Sequence, residues 1–265
     1  MPNTRPSRRR TPSAQVGEAP NVGVRPTGAP TTEEPTAELK RVLVIAVHPD
    51  DPEFGAAGTI AKWARQGREI SYLLITSGDK GSHDRDRRPE EIAATREEEQ
   101  RAAAAALGVK EVFFLRYADG LVEPTLALRR ELAGWIRRLE PHIVMTMDPW
   151  RRYQLHPDHR ACGWVALDAV WAAREWNIFA EQVRPGREPW RVKEVYLFWT
   201  DYPDYWEDVA ETHDLRFKAL EAHTSQTGGR MERVRERFDK ACRETGASAN
   251  PTCELAEAFK LLKLG

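Results

Sequence analysis

From residue 41 onward, short apolar runs alternate with longer segments whose apolar positions recur every three or four residues. Arg41-Val42-Leu43-Val44-Ile45-Ala46-Val47 is apolar at every position after the first, the pattern of a strand buried on both faces of a parallel sheet. Ile70–Thr76, Val112–Leu115, Ile143–Met147 and Val195–Trp199 read as four further strands. A helix-length segment containing Ile60, Trp63 and Ala64 separates the first two, completing a βαβ unit. Pro89 to Leu107 is dense in Ala and Glu and is followed by Gly108, which predicts a long helix with a glycine stop. Leu126 to Leu139, ending before Pro141, predicts another. Alternation of this kind predicts an α/β fold in which a parallel sheet is crossed by helices, as one domain over residues 39–265.

Residues 1–38 interrupt this pattern. They are rich in Pro, Thr, Ala, Gly and Arg, nearly lack large apolar side chains, and read as a disordered tail. Arg8-Arg9-Arg10 is not followed by a hydrophobic stretch, so it reads as a solvated basic tail rather than an export signal.

Two clusters stand out against the apolar framework. His48-Pro49-Asp50-Asp51 directly follows the first strand, and His156-Pro157-Asp158-His159 follows the fourth after a loop. Ligands of open α/β sheets sit outside the carboxyl ends of the strands, so sequence order brings both clusters to one edge. Either alone reads equally well as a helix start, since Asp caps free N–H groups and Pro suits a first turn. Together they supply three histidines and three carboxylates, enough for a metal, a general base and an electrophile. A catalytic zinc takes three protein ligands of these types and keeps one position open, so six candidates compete for three places. Adjacent carboxylates such as Asp50 and Asp51 point in different directions, and His156 and His159 share one side if a helix starts at Pro157. Gly55 and Gly58 do not complete a G-x-G-x-x-G turn, and a pyrophosphate there would meet Asp50 and Asp51. Nicotinamide and flavin binding are therefore disfavoured.

Composition narrows the partners. Lys and Arg number 40 against 41 Asp and Glu, a formal net charge of -1, so nothing global favours nucleic acid or an anionic membrane surface. A small-molecule substrate is the expectation, and a homo-oligomer is compatible with it. The 3 cysteines, Cys162, Cys242 and Cys253, show no CxxC spacing, which disfavours a disulfide framework and a thiolate zinc site and points to a reducing cytoplasm. No apolar stretch approaches the roughly 20 residues of a spanning helix.

The segments Val47 to Phe54, Ile75-Thr76-Ser77-Gly78-Asp79-Lys80-Gly81, Arg96 to Gly108 and His156-Pro157-Asp158-His159-Arg160 resemble the PIG-L/LmbE-type zinc N-deacetylases. The likeness runs from about residue 40 to 165, with Ala222-His223-Thr224-Ser225-Gln226 and Glu257-Ala258-Phe259 as weaker matches. It implies a Rossmann-like parallel β-sheet with helices on both faces, and removal of an acyl group from an amine, usually on an N-acetylglucosamine-type molecule. Carried over by residue, it implies His48, Asp51 and His159 as Zn2+ ligands, Asp50 as general base, and His156 as oxyanion partner. It makes Asp158 the residue that orients His156, and Arg96 and Asp119 substrate contacts. Fe2+, Co2+ or Ni2+ would suit the same His2Asp set. Pro52 departs from the family pattern, which has Glu directly after the two aspartates; here Glu53 comes one residue later. Two other readings stay open: an amidase for a thiol conjugate or other non-sugar amide, and a non-catalytic metal-binding or regulatory module.

The remaining chemistry-bearing residues are less informative. Trp164, Trp171 and Trp199 are expected to pack the core, while Trp150 and Trp206 suit pocket and core equally. Asp201 to Trp206 reads as a pocket wall or lid. His83 is expected to be exposed, His223 to make a local hydrogen bond, and Cys162 to be a small buried apolar group. Met231 to Glu244 reads as a solvated helix face.

Overall fold

In the computed structural model, residues 39–265 are described, and the tail reading of residues 1–38 falls outside them. The chain runs through β1 (Arg41–Ala46), α1 (Asp51–Arg65), β2 (Glu69–Thr76), α2 (Pro89–Leu107), β3 (Glu111–Tyr117), α3 (Leu126–Leu139) and β4 (Ile143–Met147). It continues through α4 (Pro157–Arg174), β5 (Glu194–Phe198), β6 (Tyr205–Asp208), α5 (His213–Ala222), α6 (Thr224–Thr227), α7 (Met231–Ser248) and β7 (Ala256–Lys263). The expected strands and helices are all present, and α2 and α3 have the bounds that their sequence signals set. Gly108 closes α2 in the left-handed conformation, and Thr125 caps α3 by accepting the Leu128 N–H.

The sheet has the order β3-β2-β1-β4-β5-β7-β6. The first five strands in that order are parallel, while β7 runs antiparallel to β5 and β6 antiparallel to β7. α1, α2 and α5 pack together on one face and α3 pairs with α4 on the other, so the sheet is covered on both sides. Val42 to Val47 are essentially without solvent exposure, as their unbroken apolar run requires. After β3 the chain returns across the sheet to place β4 beside β1. The strand order therefore reverses between β1 and β4, and the crevice at their carboxyl ends is where both clusters emerge.

The antiparallel edge extends the sheet beyond the five expected strands. In β7, Ala-Glu-Ala-Phe-Lys-Leu-Leu-Lys is made of good helix formers, and pairing with β5 and β6 overrides that local preference. β7 also reaches into α1. That helix breaks at Ala56, whose φ of -152° and ψ of 24° are not helical. The Gly58 and Thr59 N–H groups released by the break donate to Glu257 Oε1 and Oε2, at 2.8 Å each. Buried Arg216 pairs with the same carboxylate.

Candidate active site

The turn from β1 into α1 is held from several sides. Asp50 has φ 89° and ψ -25°, a left-handed conformation uncommon for a residue with a side chain. Its N–H donates to Gln100 Oε1 at 2.8 Å, and the His48 N–H donates to Asp51 Oδ2 at 2.8 Å. Pro52 sits in the first turn of α1, where no N–H is needed, so the turn keeps its shape. Arg96, buried on α2, donates through Nη2 to the Pro49 carbonyl at 2.6 Å and to Asp50 Oδ2 at 3.2 Å. Its Nη1 reaches the Gly78 carbonyl at 3.3 Å. Gly78 has φ +65°, and a Cβ there would lie 2.1 Å from Arg96 Nη1, so only glycine lets the guanidinium cross this loop.

The second cluster starts α4 at Pro157, which puts His156 and His159 on one side. Their rings stack at 4.6 Å with an interplanar angle of 16°, and the His48 ring stands edge-on to His156 at 4.8 Å. His159 Nε2 lies 3.3 Å from Asp51 Oδ1, joining the two clusters directly. Asp158 departs from its expected contact. Its Oδ2 lies 3.3 Å from His48 Nε2 and accepts the Gly120 N–H at 2.7 Å, while Oδ1 accepts the Val122 N–H at 3.2 Å. From the first turn of α4 its hydrogen bonds go to His48 and to the β3–α3 loop and none goes to His156, although its carboxylate lies within 4.8 Å of a His156 ring nitrogen.

Ligand atoms of His48, Asp51 and His159 all lie within 4.8 Å of one another, and so do those of His48, His156 and Asp158. Two imidazoles and a carboxylate form a donor set suited to zinc and neighbouring divalent ions. The electrostatics fit a cation here. Burial alone would lower the His48 pKa, but hydrogen bonds with Asp119, Asp158 and Asp51 outweigh it and raise it to about 11. Burial opposes ionisation of Asp51, yet the charge and hydrogen bond of His159, with the hydrogen bond of His48, hold it well below the usual carboxylate range. His159 Nδ1 is buried with no hydrogen-bond partner among the described residues. Asp50 is pushed the other way, up to about 7, by burial and by the charge of Asp51, with Arg96 pulling against both. Burial and the charges of His48 and His159 lower the pKa of His156.

These residues line a cleft of about 540 Å3 that also includes Arg96, Asp119 and Trp199. Its size is that of a small-molecule site. Asp119 Oδ1 lies 3.0 Å from His48 Nε2, and its Oδ2 accepts the Lys80 N–H at 3.3 Å. Arg96 is buried, and its donors hold the Asp50 turn and Gly78 while it faces the cleft. His83 is exposed and belongs to neither metal-ligand group.

Several aromatic assignments change. Trp199, at φ 57°, packs partly buried against the core and also stands in the cleft against His159, with ring centroids 5.3 Å apart. Trp164 and Trp171 are 39% and 46% exposed on the outer face of α4, and Trp150 meets Trp164 edge-on at 4.8 Å. Trp206 is buried in β6 against Ala249 and Ala256, so it belongs to the core. Asp201 ties its loop to the β4–α4 loop by accepting the Arg152 N–H at 2.8 Å. His223 is wholly buried and lies 3.4 Å from Glu53 Oε2. Its place behind the first cluster had only the weak Ala-His-Thr-Ser-Gln match as a sequence signal. Cys162 is fully buried as expected, with its thiol pKa pushed up by burial.

The profile of the family described as PIG-L: GlcNAc-PI de-N-acetylase matches residues 43–170, a span that contains both clusters. The diacetylchitobiose deacetylase of Thermococcus kodakarensis is 35% identical over 193 residues, covering 73% of this chain and 72% of that protein. The chain belongs to the PIG-L/LmbE family of N-deacetylases.

The solved N,N'-diacetylchitobiose deacetylase of Pyrococcus horikoshii superposes with a TM-score of 0.80 at 30% identity, covering 84% of each chain. A 1D-myo-inositol 2-acetamido-2-deoxy-alpha-D-glucopyranoside deacetylase of Thermobispora bispora is 32% identical over 182 residues, which is 59% of this chain and 58% of that protein. As a member of the family the protein is a hydrolytic N-deacetylase, and it carries a His-His-Asp group able to hold a metal ion. Among the described residues, no helix is long and apolar enough to cross a membrane.

Proposed function

We propose that the protein removes the acetyl group from the 2-acetamido nitrogen of an N-acetylglucosamine-type small molecule, using Zn2+ held by His48, Asp51 and His159. The observation that carries the reading is the position of Asp50. The Asp50 carboxylate, held by Arg96, stands immediately beside a three-ligand group, in a cleft sized for a sugar, in a chain related to sugar N-deacetylases. Choice of this ligand group over His48, His156 and Asp158 is supported by Asp158, whose two oxygens already accept backbone N–H groups.

Bound there, the ion would supply a Lewis acid for the amide carbonyl and would make a water acidic enough to be deprotonated near neutral pH. Asp50, which Arg96 holds at the cleft beside the ligand group, is the group placed to take that proton. The water oxygen adds to the acetamide carbon, and an N–H of His156 donates to the carbonyl oxygen as negative charge develops on it. Neutral imidazole suffices as donor, consistent with the lowered pKa of His156. Asp50 then gives its proton to the departing nitrogen as the C–N bond breaks, leaving acetate and the free amine. Arg96 holds the Asp50 carboxylate toward the cleft, and Asp119 and Trp199 offer a polar and an aromatic surface to the sugar.

A structural site needs no base, so the Asp50 geometry weighs against the non-catalytic module. The unpaired Cys162, Cys242 and Cys253 support a reducing, cytoplasmic setting. The deciding experiment is an amine-release assay of the zinc-loaded protein on N,N'-diacetylchitobiose, N-acetylglucosamine, sugar–inositol conjugates and thiol-conjugate amides. Release from the N-acetyl sugars is expected. Release confined to the thiol conjugates would replace the substrate class, and no release from any would remove the enzymatic reading.

A further inference from the structure

Three fully buried polar side chains stand behind the Asp50 turn without lining the cleft: Gln100, Glu53 and His223. Gln100 Oε1 accepts the Asp50 N–H at 2.8 Å, while its Nε2 donates to Glu53 Oε1 at 2.9 Å. The other oxygen of Glu53 lies 3.4 Å from His223 Nε2. The direction of these contacts is dictated. A carboxylate can only accept, so the Gln100 amide must turn its NH2 toward Glu53, which leaves its oxygen facing Asp50. Turned the other way, it would oppose NH2 to N–H and oxygen to oxygen.

Asp50 has reason to need such a partner. It occupies the cap position of α1, where the N–H has no intrahelical acceptor, and its φ of 89° must be enforced by its surroundings. Arg96 secures the side chain of Asp50 and the Pro49 carbonyl, but the peptide N–H is held by Gln100. The displaced Glu53 thus faces inward, away from the reacting atoms.

We propose that Gln100 is a positioning residue: it holds the Asp50 peptide in its left-handed turn so that the carboxylate meets the cleft beside the ligand group, with Glu53 and His223 fixing the amide orientation. The proposal rests on the reading of Asp50 as base. It extends that reading to a buried layer that touches neither substrate nor metal.

The test exchanges the two ends of one hydrogen bond. Gln100→Glu sets two carboxylates against each other. The double variant Gln100→Glu/Glu53→Gln restores the chain, because the new amide at 53 donates to the new carboxylate at 100, which still accepts the Asp50 N–H. Gln100→Glu should lower kcat roughly tenfold to a hundredfold, the scale of a misplaced reacting group, with KM and zinc content nearly unchanged. The double variant should recover most of that loss, and hydrogen exchange at the Asp50 amide should be fast in the single variant and slow again in the double. If Gln100→Glu folds poorly, Gln100→Leu, close in shape and without an acceptor, or Gln100→Met, whose sulfur accepts only weakly, should show the same kcat loss and fast exchange. Parental kcat in Gln100→Met, or a folded, zinc-replete double variant no faster than Gln100→Glu, would overturn the proposal. Asp50→Asn, assayed in parallel, separates the two readings. Activity in Asp50→Asn removes the base assignment itself, whereas an inactive Asp50→Asn with no rescue in the double variant removes only the role of Gln100.

Discussion

The carboxylate of Asp158, on the first turn of α4, lies 3.3 Å from Nε2 of His48 at the end of β1, and its hydrogen bonds bypass His156 two residues away. Asp158 therefore couples the β3–α3 loop, through Gly120 and Val122, to His48, one of the proposed metal ligands. In Asp158→Asn one of the two backbone N–H groups would face an NH2 and lose its acceptor. Partners of ligand histidines tune metal affinity, so this variant should bind Zn2+ roughly tenfold to a hundredfold more weakly. Competition with a chromogenic chelator measures it. Unchanged affinity with reduced kcat would instead mean that Asp158 acts through His156.

In the proposed assignment the stacked pair at the start of α4 has two separate duties. His159 faces Asp51 and His156 is exposed at the mouth of the cleft. His159→Ala should lose zinc, read by elemental analysis after dialysis. His156→Ala should keep zinc and lose about a hundredfold to a thousandfold in kcat, the effect of removing one oxyanion donor. Asp50→Asn should also keep zinc and fall by roughly a hundredfold or more, as loss of a general base does. Zinc loss in His156→Ala would favour the alternative ligand group with Asp158.

Much of this site was legible because chemistry and topology coincide in the sequence. His48 follows an unbroken apolar strand and His159 opens a helix after another, and in a doubly wound sheet those two places are one place. Arg96 was harder to read, since a charged residue on an Ala/Glu-rich helix looks like a solvated one; only Gly78 and Gly81 hint that something large crosses their loop. The family resemblance pairs Asp158 with His156, whereas its hydrogen bonds in the structure go to His48 and to the Gly120 and Val122 N–H groups. Gln100 and His223 carry little local pattern, because the partner of Gln100 is 50 residues away and Glu53, opposite His223, is far more remote in the chain. Trp164 and Trp171 show the limit of residue type as a guide to burial: Gly163, Ala166 and Val170 carry the inner face of α4, leaving the tryptophans outside.

Acid stability should report on Glu97, which anchors the loop that Arg96 crosses. Burial would raise its pKa, but hydrogen bonds from Arg116, Ser77 and Arg101 outweigh that and lower it to about 2, from an ordinary value of 4.5. Because the unfolded chain then binds the proton more readily than the folded one, Glu97 contributes stability above about pH 4.5 and loses it as pH falls toward 2. Urea unfolding of metal-free protein should show the parent more stable than Glu97→Gln at pH 7, with the gap narrowing at pH 4 and nearly closed by pH 2. A gap independent of pH would mean that packing rather than ionisation sets the difference.

The break in α1 places a second demand on distant residues. Asp51 and Glu53 lie before the break at Ala56, and the helix restarts at Gly58 and Thr59 only because Glu257, from β7, accepts both N–H groups. A carboxylate suits this task and an amide does not, since Glu257→Gln would oppose an NH2 to one N–H and leave the buried Arg216 charge uncompensated. Removing one partner of a buried pair costs about 3–5 kcal/mol, so Glu257→Gln should lower the Tm by roughly 10 °C. Adding Arg216→Met should recover part of that loss by removing the orphaned charge while the N–H defect stays. Calorimetry of the parent and the two variants tests the order: parent above double variant above Glu257→Gln. If the double variant melted lower than Glu257→Gln, Arg216 would be stabilised by its other contacts, the Phe54 carbonyl at 3.2 Å and the Phe238 ring at 4.3 Å, rather than by the Glu257 charge.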